Sequence, residues 1–318
     1  MLRLIRQITL AASIGLASPI LNAAPLVEPA DLSARLASPQ LRIVDIREGK
    51  DAAGKTPFEF GHIPGSISAP YSQWRGPADN PGKVPDATRL TELLQRLGIG
   101  RDTEVVVVYE GKDPTDFGAA ARVYWTLKAA GLARLSILNG GVKAWRAAGK
   151  PLSTEPVTVA PSNLLVRIDS RYVATREDVE RAIAGGGKTN LVDARPKDFF
   201  EGSNKHAAAK SAGTIQGARN IEHDSWFAKG SAAVLPADEV RRVAQQKGIQ
   251  VGGASDVETV SFCNTGHWAA TNWFVQSELL GDTKAKLYPE SMVEWSRAGL
   301  PMSNVPGRLK QLLNEMKI

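Results

Sequence analysis

Short apolar runs alternate with amphipathic stretches along the chain, and the alternation occurs twice. Arg42-Ile-Val-Asp-Ile-Arg47 and Asn190-Leu-Val-Asp-Ala-Arg195 each predict a short buried strand ending in Asp-x-Arg. Glu104-Val-Val-Val-Val-Tyr109 and Glu258-Thr-Val-Ser-Phe262 predict a second pair of strands, and Leu135-Ser-Ile-Leu138 and Lys286-Leu-Tyr288 a third. Asp31-Leu-Ser-Ala-Arg-Leu36 and Asp178-Val-Glu-Arg-Ala-Ile183 begin amphipathic helices. Gly61-His-Ile-Pro-Gly65 and Gly213-Thr-Ile-Gln-Gly217 are turns, each followed by a tryptophan, Trp74 or Trp226. Gly140-Gly-Val-Lys-Ala-Trp145 and Gly149-Lys-Pro151 return as Met292-Val-Glu-Trp295 and Gly299-Leu-Pro301. Blocks repeating in one order, at an offset of roughly 150 residues, mark two copies of one unit.

Short strands alternating with helices of about ten residues predict a parallel sheet covered on both faces. The expected layout is a first domain over 26–152, a linker over 153–170, a second domain over 171–304 and a tail over 305–318. Pro156 and Pro161 interrupt any helix in the linker. The tail is basic and amphipathic (Leu309, Leu312, Leu313, Met316), and 203–211 reads as a surface loop. A basic head (Arg3, Arg6), an apolar run from Ile8 to Leu21 and small residues at Ala23 and Ala24 predict a signal peptide over 1–23. The run is short for a spanning helix. An exported, periplasmic protein is expected.

The 318 residues suffice for two cores, and the 43% hydrophobic and 23% charged content is that of a globular chain, which excludes a disordered one. The net charge of +6 comes without basic runs interleaved with aromatics, so nucleic-acid binding is not indicated. It mildly favours small anionic substrates. Four scattered histidines give no zinc spacing, and His62 reads as a turn residue.

One cysteine, Cys263, stands in the whole sequence. It can form no internal disulfide, and without a resolving partner it excludes a dithiol oxidoreductase acting alone. It sits where a predicted strand meets a predicted helix from Trp268 to Leu280, across Asn264-Thr265-Gly266-His267. A turn with a glycine free to take positive φ, at the positive end of a helix, favours thiolate over thiol. The plain alternative is a buried structural cysteine.

Val-Asp-x-Arg and Gly-x-Ile-x-Gly twice, Gly-x-x-x-Trp with Ser291 replacing its second-copy glycine, and a cysteine only after the second copy's fourth block together resemble the tandem rhodaneses. These are the thiosulfate and 3-mercaptopyruvate sulfurtransferases. The resemblance implies an α/β fold of two tandem rhodanese-like domains, each a parallel β-sheet with helices on both faces. It makes the second domain catalytic and the first a copy that has lost its cysteine, since Glu110 follows Tyr109 where Cys263 follows Phe262. It implies transfer of a sulfane sulfur from a donor such as thiosulfate to cyanide or a thiol, through a Cys263 persulfide, with no metal or cofactor. Asn264, Thr265, Gly266, His267 and Trp268 become the active-site loop, and Arg195 a substrate ligand or, beside Asp193, a buried ion pair holding the strand end. Trp268 and Trp273 read as core or pocket wall; Trp145 and Trp295 read as core.

The loop departs from the family's patterns. Thiosulfate-type loops read Cys-Arg-Lys-Gly-x-Thr, whereas this one reads Cys-Asn-Thr-Gly-His-Trp, without the lysine. Phe199 stands where a second arginine would follow Arg195. His267 is the loop's one replacement, charged only at mildly acidic pH. Partners are thus a small-molecule sulfur donor and acceptor; a protein acceptor is compatible, and neither nucleic acid nor, after signal cleavage, a membrane is implied. The second reading is a non-turnover persulfide carrier or sensor serving a protein partner, or 3-mercaptopyruvate as donor. A dual-specificity phosphatase is a poor reading, because Ala269 stands where its loop arginine would be.

Overall fold

The computed structural model describes residues 23–185, 189–249 and 256–307. The signal segment up to residue 22 and the tail from residue 308 lie outside the described residues.

The first domain contains β1 (Leu26–Val27), α1 (Pro29–Ser33), β2 (Leu41–Asp45), α2 (Pro57–Phe60), β3 (Ser66–Ser68), α3 (Ala87–Arg96), β4 (Glu104–Val108), α4 (Pro114–Ala129), β5 (Leu135–Leu138) and α5 (Gly141–Ala147). Its strands pair in the order β1-β5-β4-β2-β3, all parallel. The unbroken valine run of β4 follows from this: a strand with helices on both faces has no solvent side to be polar on. Val105 and Val107 pack with α3 and α4, while Val106 and Val108 pack with Leu32 and Trp145 on the other face.

The second domain contains α6 (Arg176–Ala184), β6 (Thr189–Asp193), α7 (Lys197–Phe200), β7 (Thr214–Ile215), β8 (Arg219–Asn220), α8 (Ala237–Gln246), β9 (Glu258–Phe262), α9 (Trp268–Phe274), β10 (Ala285–Leu287), α10 (Ser291–Arg297) and β11 (Met302–Ser303). Its sheet runs β10-β9-β6-β8, again all parallel, in the positions of β5-β4-β2-β3. Minor features repeat as well. The antiparallel bridge His62–Ser153 has its counterpart in the β7–β11 pair, and a bridge from Val173 to Leu287 stands where β1 joins β5. Each sheet carries helices on both faces, so the repeat in the sequence is a repeat in space.

The two domains share one core. Helix α4 is buried on almost every side, as expected of a helix held between two layers rather than against one. It lies along α9, with Phe117 edge-on to Phe274 (5.7 Å between ring centroids) and Tyr124 edge-on to Phe274 (5.0 Å). Beyond Phe274 the α9 helix continues over Val275–Leu279 in wider π turns. The connecting segment is tied down as well. Ser162 N–H reaches Gln95 O (3.0 Å), Val166 N–H reaches Thr91 Oγ1 (3.0 Å), and Leu164 and Val166 are buried against the first domain. The 203–211 loop is pinned to α10 by Lys210 N–H on Ser296 Oγ (3.0 Å) and Arg297 Nε on Ala208 O (2.8 Å).

Candidate active site

Strand β9 delivers Cys263 to the carboxyl edge of the second sheet, where open α/β sheets place their sites. The sulfur is nearly covered, with 1% of the residue exposed. In the turn beyond it, every carbonyl from Cys263 to Gly266 is engaged. The first N–H groups of α10, from Met292 and Val293, take Cys263 O and Asn264 O (3.1 Å each). Arg122 Nη1 takes Thr265 O (3.4 Å) and Gly266 O (3.3 Å). In a planar trans peptide the N–H points opposite to the C=O. Anchoring four consecutive carbonyls therefore turns the N–H groups of Asn264, Thr265, Gly266 and His267 away from those anchors. Among the described residues none of these four N–H groups has a protein acceptor. They form a nest of donors beside the thiol. Gly266 is required for this turn. Its φ is +68°, and a Cβ there would lie 2.3 Å from Arg122 Nη1 and 2.5 Å from Pro289 O.

The backbone of Cys263 is fixed by Ser291, at the start of α10. Its Oγ accepts the Cys263 N–H (3.1 Å) and donates to Tyr288 O (2.7 Å). Ser291 has φ 53°, in the left-handed region.

Arg195 is buried and clamps Asp193: Nη2 lies 2.6 Å from Oδ2 and Nε lies 2.9 Å from Oδ1. Nη2 also donates to Gly213 O (2.7 Å), and Nη1 reaches Asn264 Oδ1 (3.4 Å). These contacts tie the strand end, the Gly213 turn and the loop together, which fits the structural alternative raised for it. Trp268 forms a wall. It stacks on His223 (4.8 Å, 13°), meets Phe199 edge-on (5.9 Å), and its Nε1 donates to Thr115 Oγ1 of the first domain (3.2 Å). Trp273 is wholly buried, with Nε1 donating to Ala285 O (3.0 Å), and so belongs to the core.

His267 does not behave as its sequence context suggests. Nε2 lies 2.7 Å from Thr115 O, which can only accept, so Nε2 carries the proton. Nδ1 lies 2.9 Å from Tyr71 OH, whose oxygen accepts from Arg75 Nη1 (3.0 Å); in a neutral ring protonated at Nε2, Nδ1 accepts the phenol's O–H. This network fits a neutral ring. Removal from water, followed by the nearby Arg75 guanidinium, pushes the His267 pKa down to about 3. The expectation that His267 supplies positive charge at mildly acidic pH is therefore corrected: the ring is half-buried and held neutral.

The charge comes from elsewhere. Arg75, just after the repeated Trp74, reaches across the interface and donates from Nη2 to Thr265 Oγ1 (2.9 Å). Arg122, from the middle of α4, is fully buried against the loop, and burial is the first cause that pulls its pKa down to about 9. Neither guanidinium lies within 4 Å of a carboxylate among the described residues. Sequence reading missed both. The signals were an arginine where the second copy has Phe227 after its tryptophan, and an arginine inside the apolar run Ala119-Ala-Ala-Arg-Val-Tyr-Trp125.

Two parallel-sheet domains, one cysteine at a strand end and a turn of outward N–H groups define a protein built to hold an anionic sulfur. The Rhodanese-like domain model matches the chain twice, over residues 28–148 and 175–298. The chain is 32% identical over 271 residues to a thiosulfate sulfurtransferase of Azotobacter vinelandii, covering 85% of this chain and 93% of the relative. It is 31% identical over 280 residues to that of Corynebacterium glutamicum, covering 85% and 87%. The crystal structure of the 3-mercaptopyruvate sulfurtransferase SseA from Escherichia coli superposes with a TM-score of 0.69 at 19% identity, over 85% of this chain and 99% of that one, a likeness of fold. The chain belongs to the rhodanese family, as a tandem-domain sulfurtransferase.

Proposed function

We propose that the protein moves a sulfane sulfur from thiosulfate, or a like donor, to cyanide or a thiol, with Cys263 as the carrier. The Cys263 thiolate attacks the outer sulfur of thiosulfate. A new S–S bond forms, the donor's S–S bond breaks, and sulfite leaves with the electron pair. The enzyme holds a persulfide anion. Cyanide then attacks the outer sulfur, thiocyanate leaves, and the thiolate returns. No oxidant, reductant or metal enters either half. The observation that carries this reading is the turn at 264–267, where four anchored carbonyls leave four N–H donors for an anionic sulfur beside a lone cysteine. Thiosulfate is the donor in the names of the relatives from A. vinelandii and C. glutamicum. The near-complete cover over Cys263 supports a small donor. Steady-state rates with varied thiosulfate and cyanide test the proposal: parallel double-reciprocal lines are expected, whereas intersecting lines would require both substrates bound at once and remove the persulfide from the route.

Export through the segment 1–23 is part of the same proposal. Its support is the basic head of Arg3 and Arg6 and the apolar run from Ile8 to Leu21. Sequencing the mature N-terminus should find a start near Ala24; an intact Met1 would contradict export.

A further inference from the structure

The second domain carries the thiol, yet its loop 263–268 has no cation, its histidine is neutral, and its buried Arg195 is consumed by Asp193. Anchoring a donor that carries two negative charges beside a thiolate needs positive charge from somewhere. We propose that the cysteine-less first domain supplies it, and that Arg75 is the residue that binds the anionic head of the sulfur donor. This deepens, and rests on, the reading of Cys263 as the sulfur carrier.

Three observations point to Arg75. Its Nη2 hydrogen-bonds Thr265, two residues past Cys263, so the guanidinium lies at the rim of the N–H nest. It is half-buried, and its two side-chain partners, Tyr71 and Thr265, are both neutral hydroxyls; no carboxylate lies within 4 Å among the described residues. A half-buried cation without a counter-ion is a poor arrangement for stability and a good one for receiving an anion. Finally, Arg122 lies beneath the same loop, fully buried over the Trp125 ring (4.9 Å); among the described residues its hydrogen-bond partners are carbonyls and its Nε has none. Two unneutralised guanidiniums from one domain converge on the cysteine loop of the other.

The two have different parts. Arg122 is a positioning residue: it holds Thr265 O and Gly266 O and so keeps the N–H groups turned out. Arg75 is half-buried with hydroxyl groups as its side-chain partners, and its planar guanidinium matches a sulfonate or carboxylate oxyanion. Tyr71 fixes its direction. The phenol accepts from Arg75 and donates to His267, which is itself locked to Thr115 O, so the guanidinium rests on a chain of hydrogen bonds anchored in α4. Thiosulfate presents a sulfonate head and 3-mercaptopyruvate a carboxylate, so the same cation can serve either.

Two readouts test this. The first needs no sulfur transfer: Cys263 is alkylated in the full chain by iodoacetate, an anion, and by iodoacetamide, its neutral counterpart. Arg75→Gln should lower the iodoacetate-to-iodoacetamide rate ratio by up to about fivefold, the size of one partly screened charge pair. Arg75→Lys, which keeps the charge, should recover part of it. The second is steady-state sulfur transfer with thiosulfate and with 3-mercaptopyruvate. Arg75→Gln should raise KM for the donor that is used and leave kcat within about twofold, the pattern of lost ground-state binding. An unchanged alkylation ratio in a folded Arg75→Gln protein would overturn the proposal. If neither donor loads sulfur but the ratio still depends on Arg75, the donor reading fails while the anion site stands.

Discussion

The two domains carry the same loop in opposite electrostatic states. After β9 the turn 264–267 presents backbone N–H groups with no protein acceptor among the described residues, beside a thiol. After β4 the corresponding turn is filled by its own chain. Asp116 Oδ2 takes the N–H groups of Gly111 (2.7 Å) and Lys112 (2.9 Å), and Glu110 stands where the cysteine would be. Glu110 also takes Arg47 Nη1 (3.1 Å) and Arg146 Nη1 (3.3 Å). Both domains keep the same arginine clamp: Arg47 grips Asp45 and Gly61 O (2.7 and 2.8 Å), as Arg195 grips Asp193 and Gly213 O (2.6 and 2.7 Å). The clamp persists in the copy that has no cysteine, so it is not what distinguishes the two loops. The difference lies in who satisfies the nest. In the first domain the Asp116 carboxylate takes loop N–H groups, while Arg75 and Arg122 of that same domain point their guanidiniums at its neighbour's loop.

The glycines support the same division. In the first domain a Cβ at Gly141 would lie 2.4 Å from Tyr109 O and 2.8 Å from Gly111 N, so no side chain fits. In the second, Ser291 fits at the matching place, and its hydroxyl binds the Cys263 N–H. The serine bears the cost of a left-handed φ for that contact, about 1–2 kcal/mol by sterics.

The comparison can be broken most sharply at the nucleophile. Cys263→Ser should bring sulfur transfer below detection while leaving the circular dichroism unchanged, because a hydroxyl is a far poorer nucleophile. Glu110→Cys in that background should not restore transfer, since Asp116 still occupies the first nest; recovered activity would show that the two loops are not electrostatically different. Gly266→Ala comes next. With φ at +68° and Arg122 and Pro289 in the way, the substitution should cost about 1–3 kcal/mol and disorder the nest. Chemical denaturation and transfer rates should both fall, and an unaffected rate would remove the turn from the mechanism.

Asp116→Ala sharpens the comparison from the other side. Removing the acceptor of two loop N–H groups should destabilise the protein by about 1–3 kcal/mol. Added sulfate should recover part of that loss if the first nest then takes an anion as the second does. The last effect is the titration of His267, which is absent near neutral pH and appears only in acid. Its folded pKa of about 3 lies below its ordinary 6.5, so the unfolded chain binds the proton more readily between those values. The contribution is complete above pH 6.5 and is lost progressively as pH falls toward 3. His267→Gln should therefore flatten the stability slope in that window relative to wild type, and the transfer rate should show no acidic rise assignable to residue 267.

Much of this architecture is legible in the sequence, because it rests on local patterns. The valine run of β4, the two Asp-x-Arg strand ends and the Gly-x-Ile-x-Gly turns each place their own backbone, and their order gives both sheets. Cys263 and its turn are equally local. The charge of the site is not. Arg75 and Arg122 lie 188 and 141 positions before Cys263 in the numbering, and only the packing of α4 along α9 brings them to the loop. Reading the loop alone therefore assigned its missing charge to His267, the nearest titratable residue, although burial beside Arg75 disfavours a proton on that ring. Arg195 was similarly ambiguous: Asp193 two residues away suggested a clamp, and only the five side-chain contacts show how far it is engaged.

The central claim is that one domain's cysteine carries the sulfur in a site both domains build, and the intact mass of the protein tests it most directly. After brief incubation with thiosulfate and removal of excess donor, wild type should gain the mass of one sulfur atom, located by peptide mapping at Cys263 and removed by cyanide. Cys263→Ser should gain nothing, and Arg75→Gln should need more thiosulfate to reach the same occupancy. A wild type that gains no sulfur, or a serine variant that does, would contradict the account.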